Sequence, residues 1–135
     1  MPHFKVEYTD NIKTEGHIPD LLRKANKVLE LEGYPVAGMR AFAIELKEYE
    51  LVDGKNDYAM VHAALKLAPG HTVPEKKRAC EVLFEMMKEH FKEVFETRYL
   101  LLSLEFVEVV SGDGPTLKLS NVHTLFKPAS LPTPS

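Results

Sequence analysis

Pro2, Arg40 and His71 are the residues of this chain whose types and positions point most directly to chemistry. Pro2 follows the initiator methionine, which is normally excised when the next residue is small. Excision turns Pro2 into a free secondary amine on a rigid ring; with Met1 in place the same nitrogen is an amide without basicity. An ordinary α-amino group titrates near ~7.7–8.0, and a proline amine is more basic still. To act as a general base at neutral pH it needs an apolar surrounding or a neighbouring cation that lowers its pKa. Proline also suits the first position of a strand, where its missing N–H costs nothing. Position alone leaves both readings open.

Arg40 belongs to an even-numbered set with Phe42, Ile44 and Leu46, so it opens an apolar face rather than a wet one. There it either pairs with an acid or caps the sheet end, or it offers a planar fork to a carboxylate and depresses a nearby amine. His71 comes after a strand and just before a helix start, where free backbone amides favour anions. Lys76, Lys77 and Arg78 follow in the first turns of that helix, as an anion-binding corner or as a solvated face. His3, His17, His62, His90 and His123 show no metal-ligand spacing, so no metal site is expected. Cys80 has no matched base beside it and reads as structural. Phosphate-loop, dinucleotide and nucleophile-elbow motifs are absent from the sequence.

The elements that must position these residues fall into two similar halves. Pro2 to Tyr8 alternates like a strand and ends at Thr9-Asp10-Asn11. Ile18, Leu21, Leu22, Ala25, Val28 and Leu29 recur at helical spacing, with Pro19 in the first turn and Gly33 past the end. A second strand is expected from Met39 to about Leu51. After the turn cluster Asp53–Asp57 the pattern restarts with a strand from Tyr58 to Leu67. Thr72 and Glu75 match a capping box, and the helix behind it carries Ala79, Val82, Leu83, Met86, Met87, His90, Phe91, Val94 and Phe95. A strand from Leu100 to Val110 closes the second half, and Thr116 to Leu125 reads as one or two short edge strands. The fold class is therefore α+β: two β-α-β units form a mixed four-stranded sheet with two helices on one face. The opposite face, with Met60, His62 and Ala64, is too apolar to stay wet, which predicts burial by copies of the same chain.

A chain of 135 residues suits one domain, placed at residues 1–127, with a loose Pro/Ser tail over 128–135. Net charge is −3 with both signs dispersed, so neither nucleic acid nor an anionic membrane surface is an expected partner. One cysteine excludes an internal disulfide and fits a reducing, cytoplasmic setting. No apolar run approaches the ~18 residues of a membrane-spanning helix.

Met1-Pro2-His3-Phe4, the paired halves, and Arg40 after Ala37-Gly38-Met39 resemble the tautomerase superfamily. Pro2 to Glu7, Asp10-Asn11-Ile12, Asp57 to His62, Leu65-Lys66 and Asn121 to Lys127 resemble, in order and spacing, the 5-carboxymethyl-2-hydroxymuconate isomerase family. The resemblance implies a homotrimer that uses no cofactor and acts on a small unsaturated enol or keto acid. It implies that Pro2 moves a proton between oxygen and carbon of a dienol, and that Arg40 binds and polarises a carboxylate or keto end. It also implies that position 71 contributes to substrate binding. There the family pattern has an arginine and this chain has a histidine, which is smaller and cannot form a two-pronged contact. That departure keeps a second reading alongside the isomerase: a non-enzymatic trimeric binding or signalling protein of the same fold.

Overall fold

The alternation of His3–Thr9 becomes the first strand, β1, of a four-stranded sheet in the computed structural model, which describes residues 2–108 and 117–126. The strands that follow are β2 (Arg40–Leu46), β3 (Tyr58–Lys66) and β4 (Tyr99–Val107). Their order is β2-β1-β3-β4; the outer pairs are parallel and the central pair antiparallel. The two halves thus meet along β1 and β3, as the repeated pattern predicts.

Helices α1 (Ile18–Leu31) and α2 (Val73–His90) cover one face. Phe4, Val6 and Tyr8 of β1 and Ala59, Val61, Ala63 and Leu65 of β3 point into that layer. Leu21, Ala25 and Leu29 of α1 and Ala79, Leu83 and Met87 of α2 meet them there, all buried. The expected capping box is present: Thr72 Oγ1 accepts from the Glu75 amide at 3.3 Å, and Glu75 Oε1 accepts from the Thr72 amide at 2.7 Å.

The face away from the helices is bare, as expected, and it is this face that carries the even-numbered set of β2. Phe42 and Ile44 are 43% and 42% exposed, and Leu101 of β4 is 47% exposed. Amid these apolar groups lies a polar trio: His62 Nδ1 is 2.7 Å from Ser103 Oγ, and its Nε2 is 3.2 Å from Glu105 Oε1.

Several boundaries differ from the sequence reading. β2 stops at Leu46, not near Leu51, because the chain leaves the sheet in a loop where Tyr49 donates to Asp10 Oδ1 and Val52 takes φ 55°. The second helix ends at His90 with Phe91 (φ −97°, ψ 12°) as its cap, and a short helix, α3 (Lys92–Thr97), resumes at once. Val94 of α3 is buried while Phe95 is half exposed. The expected edge strands give way to irregular backbone over 117–120 and a 3-10 helix at Val122–Phe126; Thr116 lies outside the described residues. The Pro/Ser tail 128–135 and the strand end at Val109 and Val110 also lie outside them.

The α2–α3 break is pinned by His90. Its Nε2 donates to Gly16 O at 2.8 Å, and its Nδ1 accepts from Lys24 Nζ at 3.0 Å, so the neutral ring is the one that fits. Burial, reinforced by Lys24 and His17, lowers the His90 pKa against the opposing pull of the Gly16 carbonyl and Asp20. A histidine with a depressed folded-state pKa contributes stability that is complete above the ordinary value and lost as pH falls beneath it. The melting temperature is therefore expected to drop as pH falls below about 6.5, and His90→Gln should flatten that slope. An equally steep slope in the variant would show that His90 does not carry it.

Candidate active site

The start of β1, the start of β2 and the end of β3 share one end of the sheet. The parallel register sets His3 opposite Arg40, and the antiparallel register sets His3 opposite Lys66. Pro2 sits one residue before this row, buried, and its carbonyl accepts the Arg40 amide at 3.2 Å. Two of the residues singled out in the sequence, Pro2 and Arg40, are thus neighbours across a strand pair.

Their electrostatic setting is read by the side chain between them. The His3 pKa is lowered, first by burial and then by the positive charges of Arg40, Lys66 and Lys118. His3 Nε2 is itself buried with no hydrogen-bond partner among the described residues. A neutral imidazole is what this corner tolerates. An amine on Pro2 would meet the same desolvation and the same cation at Arg40, and both favour its neutral, basic form.

Over this corner lies a segment whose role the local pattern did not show. A cavity of about 380 Å³ opens between the turn Val36–Gly38 and the 117–126 segment. Arg40, Lys118, Ser120, His123 and Thr124 line it. Lys118 and His123 are some eighty residues from Arg40 in sequence, and neither lies in a periodic stretch. The Asn121–Lys127 motif marked the segment as part of the resemblance but did not show where it would fold.

His71 lies elsewhere. Its ring packs against Tyr34 at 5.4 Å between centroids, and it lines a recess with Glu32, Glu75 and Arg78. Arg78 is spent on Glu32, with Nε to Oε1 at 2.9 Å and Nη2 to Oε2 at 3.3 Å, and this pairing holds the Glu32 carboxyl below its usual range. Neither Pro2 nor Arg40 lines that recess. The anion-binding corner imagined around Lys76, Lys77 and Arg78 is occupied by acids: Lys76 reaches Glu108 at 2.9 Å.

The sequence pattern of the 5-carboxymethyl-2-hydroxymuconate isomerase family matches residues 2–126. The chain belongs to the 5-carboxymethyl-2-hydroxymuconate isomerase family. It is similar to the 5-carboxymethyl-2-hydroxymuconate Delta-isomerase of Escherichia coli, 42% identical over 94% of this chain and 100% of the relative. Its fold is similar to that of the crystal structure of a 5-carboxymethyl-2-hydroxymuconate isomerase from Deinococcus radiodurans R1. That match has a TM-score of 0.86 and 38% identity, over 94% of this chain and 95% of the other. A fused 4-OT that forms a symmetric trimer shares the fold more distantly, with a TM-score of 0.58 and 18% identity over 84% of this chain and 94% of the other. For this member of the 5-carboxymethyl-2-hydroxymuconate isomerase family, the matched span takes in Pro2, Arg40 and the 117–126 segment together. Among the described residues no helix is long and apolar enough to cross a membrane.

Proposed function

We propose that this chain is a cofactor-independent isomerase of unsaturated enol carboxylates, with Pro2, freed by loss of Met1, as the general base. The observation that carries the reading is the pairing of buried Pro2 with Arg40 at a cationic sheet end, in a chain that belongs to an isomerase family. In the reaction the Pro2 nitrogen takes the proton of the dienol O–H. The O–H electrons become the carbonyl π bond, the diene electrons shift along the chain, and a distal carbon takes the proton back from Pro2. No atom is gained or lost, and Pro2 returns to its neutral state. Arg40 holds the carboxylate beside the enol and stabilises the negative charge that develops on oxygen.

His71 enters the reading only as what the resemblance implies for position 71: its recess, bordered by Glu32, Glu75 and Arg78, is lined by neither Pro2 nor Arg40. The bare face with Phe42, Ile44 and Leu101 supports assembly into a homotrimer, the state of the fused 4-OT that shares the fold. The reading is tested by following ketonisation of a 2-hydroxymuconate-type dienol by purified protein whose intact mass shows that Met1 is gone. Turnover no faster than the uncatalysed rate by protein lacking Met1 would favour the binding or signalling alternative. In the same sample, light scattering is expected to give about three times the 15.3 kDa chain mass, and a stable monomer would remove the trimer.

A further inference from the structure

We propose that Lys66 holds the second carboxylate of a dianionic dienol whose first carboxylate lies on Arg40. This rests on the isomerase reading above and adds to it a residue that selects among substrates. Arg40, His3 and Lys66 stand in one row across β2, β1 and β3. Their strand neighbours Ala41, Phe4 and Leu65 pack into the layer under the helices. Alternation therefore sends the three side chains of the row to the opposite, bare face. Arg40 and Lys66 flank His3 at one strand spacing each, so about 10 Å separates their backbones. Pro2 immediately precedes His3, and its carbonyl accepts the Arg40 amide at 3.2 Å. The proposed base thus adjoins a row with a cation on each side.

Neither cation is committed. Arg23, Arg78 and Arg98 are each spent on a carboxylate. The side chains of Arg40 and Lys66 are exposed and have no hydrogen bond or ion pair among the described residues. Val107, beyond Lys66 in the same row, is apolar. Of the acids on this face, Glu105 is turned to His62 Nε2 at 3.2 Å, and Glu7 lies four residues along β1 from His3. His3 adds no third charge, since burial first, and then Arg40 and Lys66, favour its neutral ring. Two unneutralised cations on one face repel each other, and a ligand with two negative charges removes that repulsion. The cations differ in kind. The planar fork of Arg40 orients the carboxylate beside the enol, while the ammonium of Lys66, on a flexible stem, meets the far carboxylate across His3. An extended six-carbon diacid is long enough to bridge the gap that these two long side chains leave between them.

The test compares 2-hydroxymuconate, a dicarboxylate dienol, with 2-hydroxypenta-2,4-dienoate, which lacks the far carboxylate. Lys66→Met keeps most of the stem and removes the charge. For this variant KM for the dicarboxylate is expected to rise about tenfold with kcat nearly unchanged, the signature of lost uniform binding. KM for the monocarboxylate should move less than about twofold, and Lys66→Arg should restore most of the difference. Lys5→Met removes a cation from the same face, two residues along β1 from His3, and should leave the ratio of the two KM values where it was. Light scattering and a thermal melt on each variant should match the parent chain. Lys66 loses its assignment if KM for the dicarboxylate does not move, if both substrates weaken equally, or if Lys5→Met gives the same rise. A smaller assembly in Lys66→Met would overturn it too, making Lys66 a contact between copies. If the unaltered chain turns over neither dienol, the isomerase reading itself falls and takes this one with it.

Discussion

A chain with one extra residue ahead of Pro2 is expected to lose about 10²–10⁴-fold in kcat, the contribution of a positioned general base. The extra residue converts the Pro2 nitrogen into an amide, which has no usable lone pair for the dienol proton. It should leave the fold intact, because proline has no N–H and β1 begins its pairing at His3 whether or not a residue precedes Pro2. The comparison thus separates chemistry from stability, which Pro2→Ala does less cleanly because alanine still presents a primary amine. Steady-state ketonisation and a thermal melt on the same preparation check both halves of the expectation. Full activity in the extended chain would rule out Pro2 as the base. In the normal chain, kcat/KM should rise with pH along a limb set by loss of the Pro2 proton. Burial and Arg40 favour the neutral amine, so that limb belongs well below the pH at which free proline titrates.

Arg40→Gln is expected to lower kcat/KM at neutral pH by about tenfold or more, on the scale of a lost charge-assisted hydrogen bond. It should also move the ascending limb of the pH profile upward. The sign follows from the charge: a cation near an amine disfavours the protonated form, so removing it raises the amine pKa and delays the appearance of the base. A variant with weaker kcat/KM but an unmoved pH limb would mean that Arg40 binds substrate without tuning Pro2. The two effects can be read from one set of pH-dependent kinetics. Because Arg40 is exposed in the single chain, both should shrink at high salt unless a neighbouring copy covers it.

Much of this site can be read along the chain because its parts sit at element starts. The alternation of His3–Thr9 and Tyr58–Lys66 and the helical stripe from Ile18 to Leu29 are local patterns, and local patterns survive folding when one face is buried. Residues lost from the reading depend on distant contacts. β2 was expected to continue past Leu46, and what stops it is a loop tied by Tyr49 to Asp10, far away in sequence. The helical stripe runs unbroken through Phe91, yet the backbone breaks there, with His90 fastened to Gly16 across the structure. Leu117 and Leu119 look like strand residues, but they are almost fully exposed in irregular backbone. No periodicity encodes the approach of Lys118 and His123 to Arg40; it follows from the turn Val36–Gly38 meeting the 3-10 helix Val122–Phe126. Position 71 shows the same limit: its place just before a helix start suggests an anion site, while the packing that sets Glu32, Glu75 and Arg78 around its recess is written in distant parts of the chain.

Chain termini are ordinarily the most frayed part of a protein, and a catalytic group placed there would spend most of its time in useless orientations. Here the first strand is one of the two central strands, hydrogen-bonded to β2 on one side and β3 on the other. For the proposed base, the entropy of fixing the amine would be lost once, when the sheet forms, and not again at each substrate encounter. This ties reactivity to cooperativity: any change that loosens the β1–β3 seam, even at the far end near Tyr8 and Val61, should lower kcat before it lowers the folded fraction.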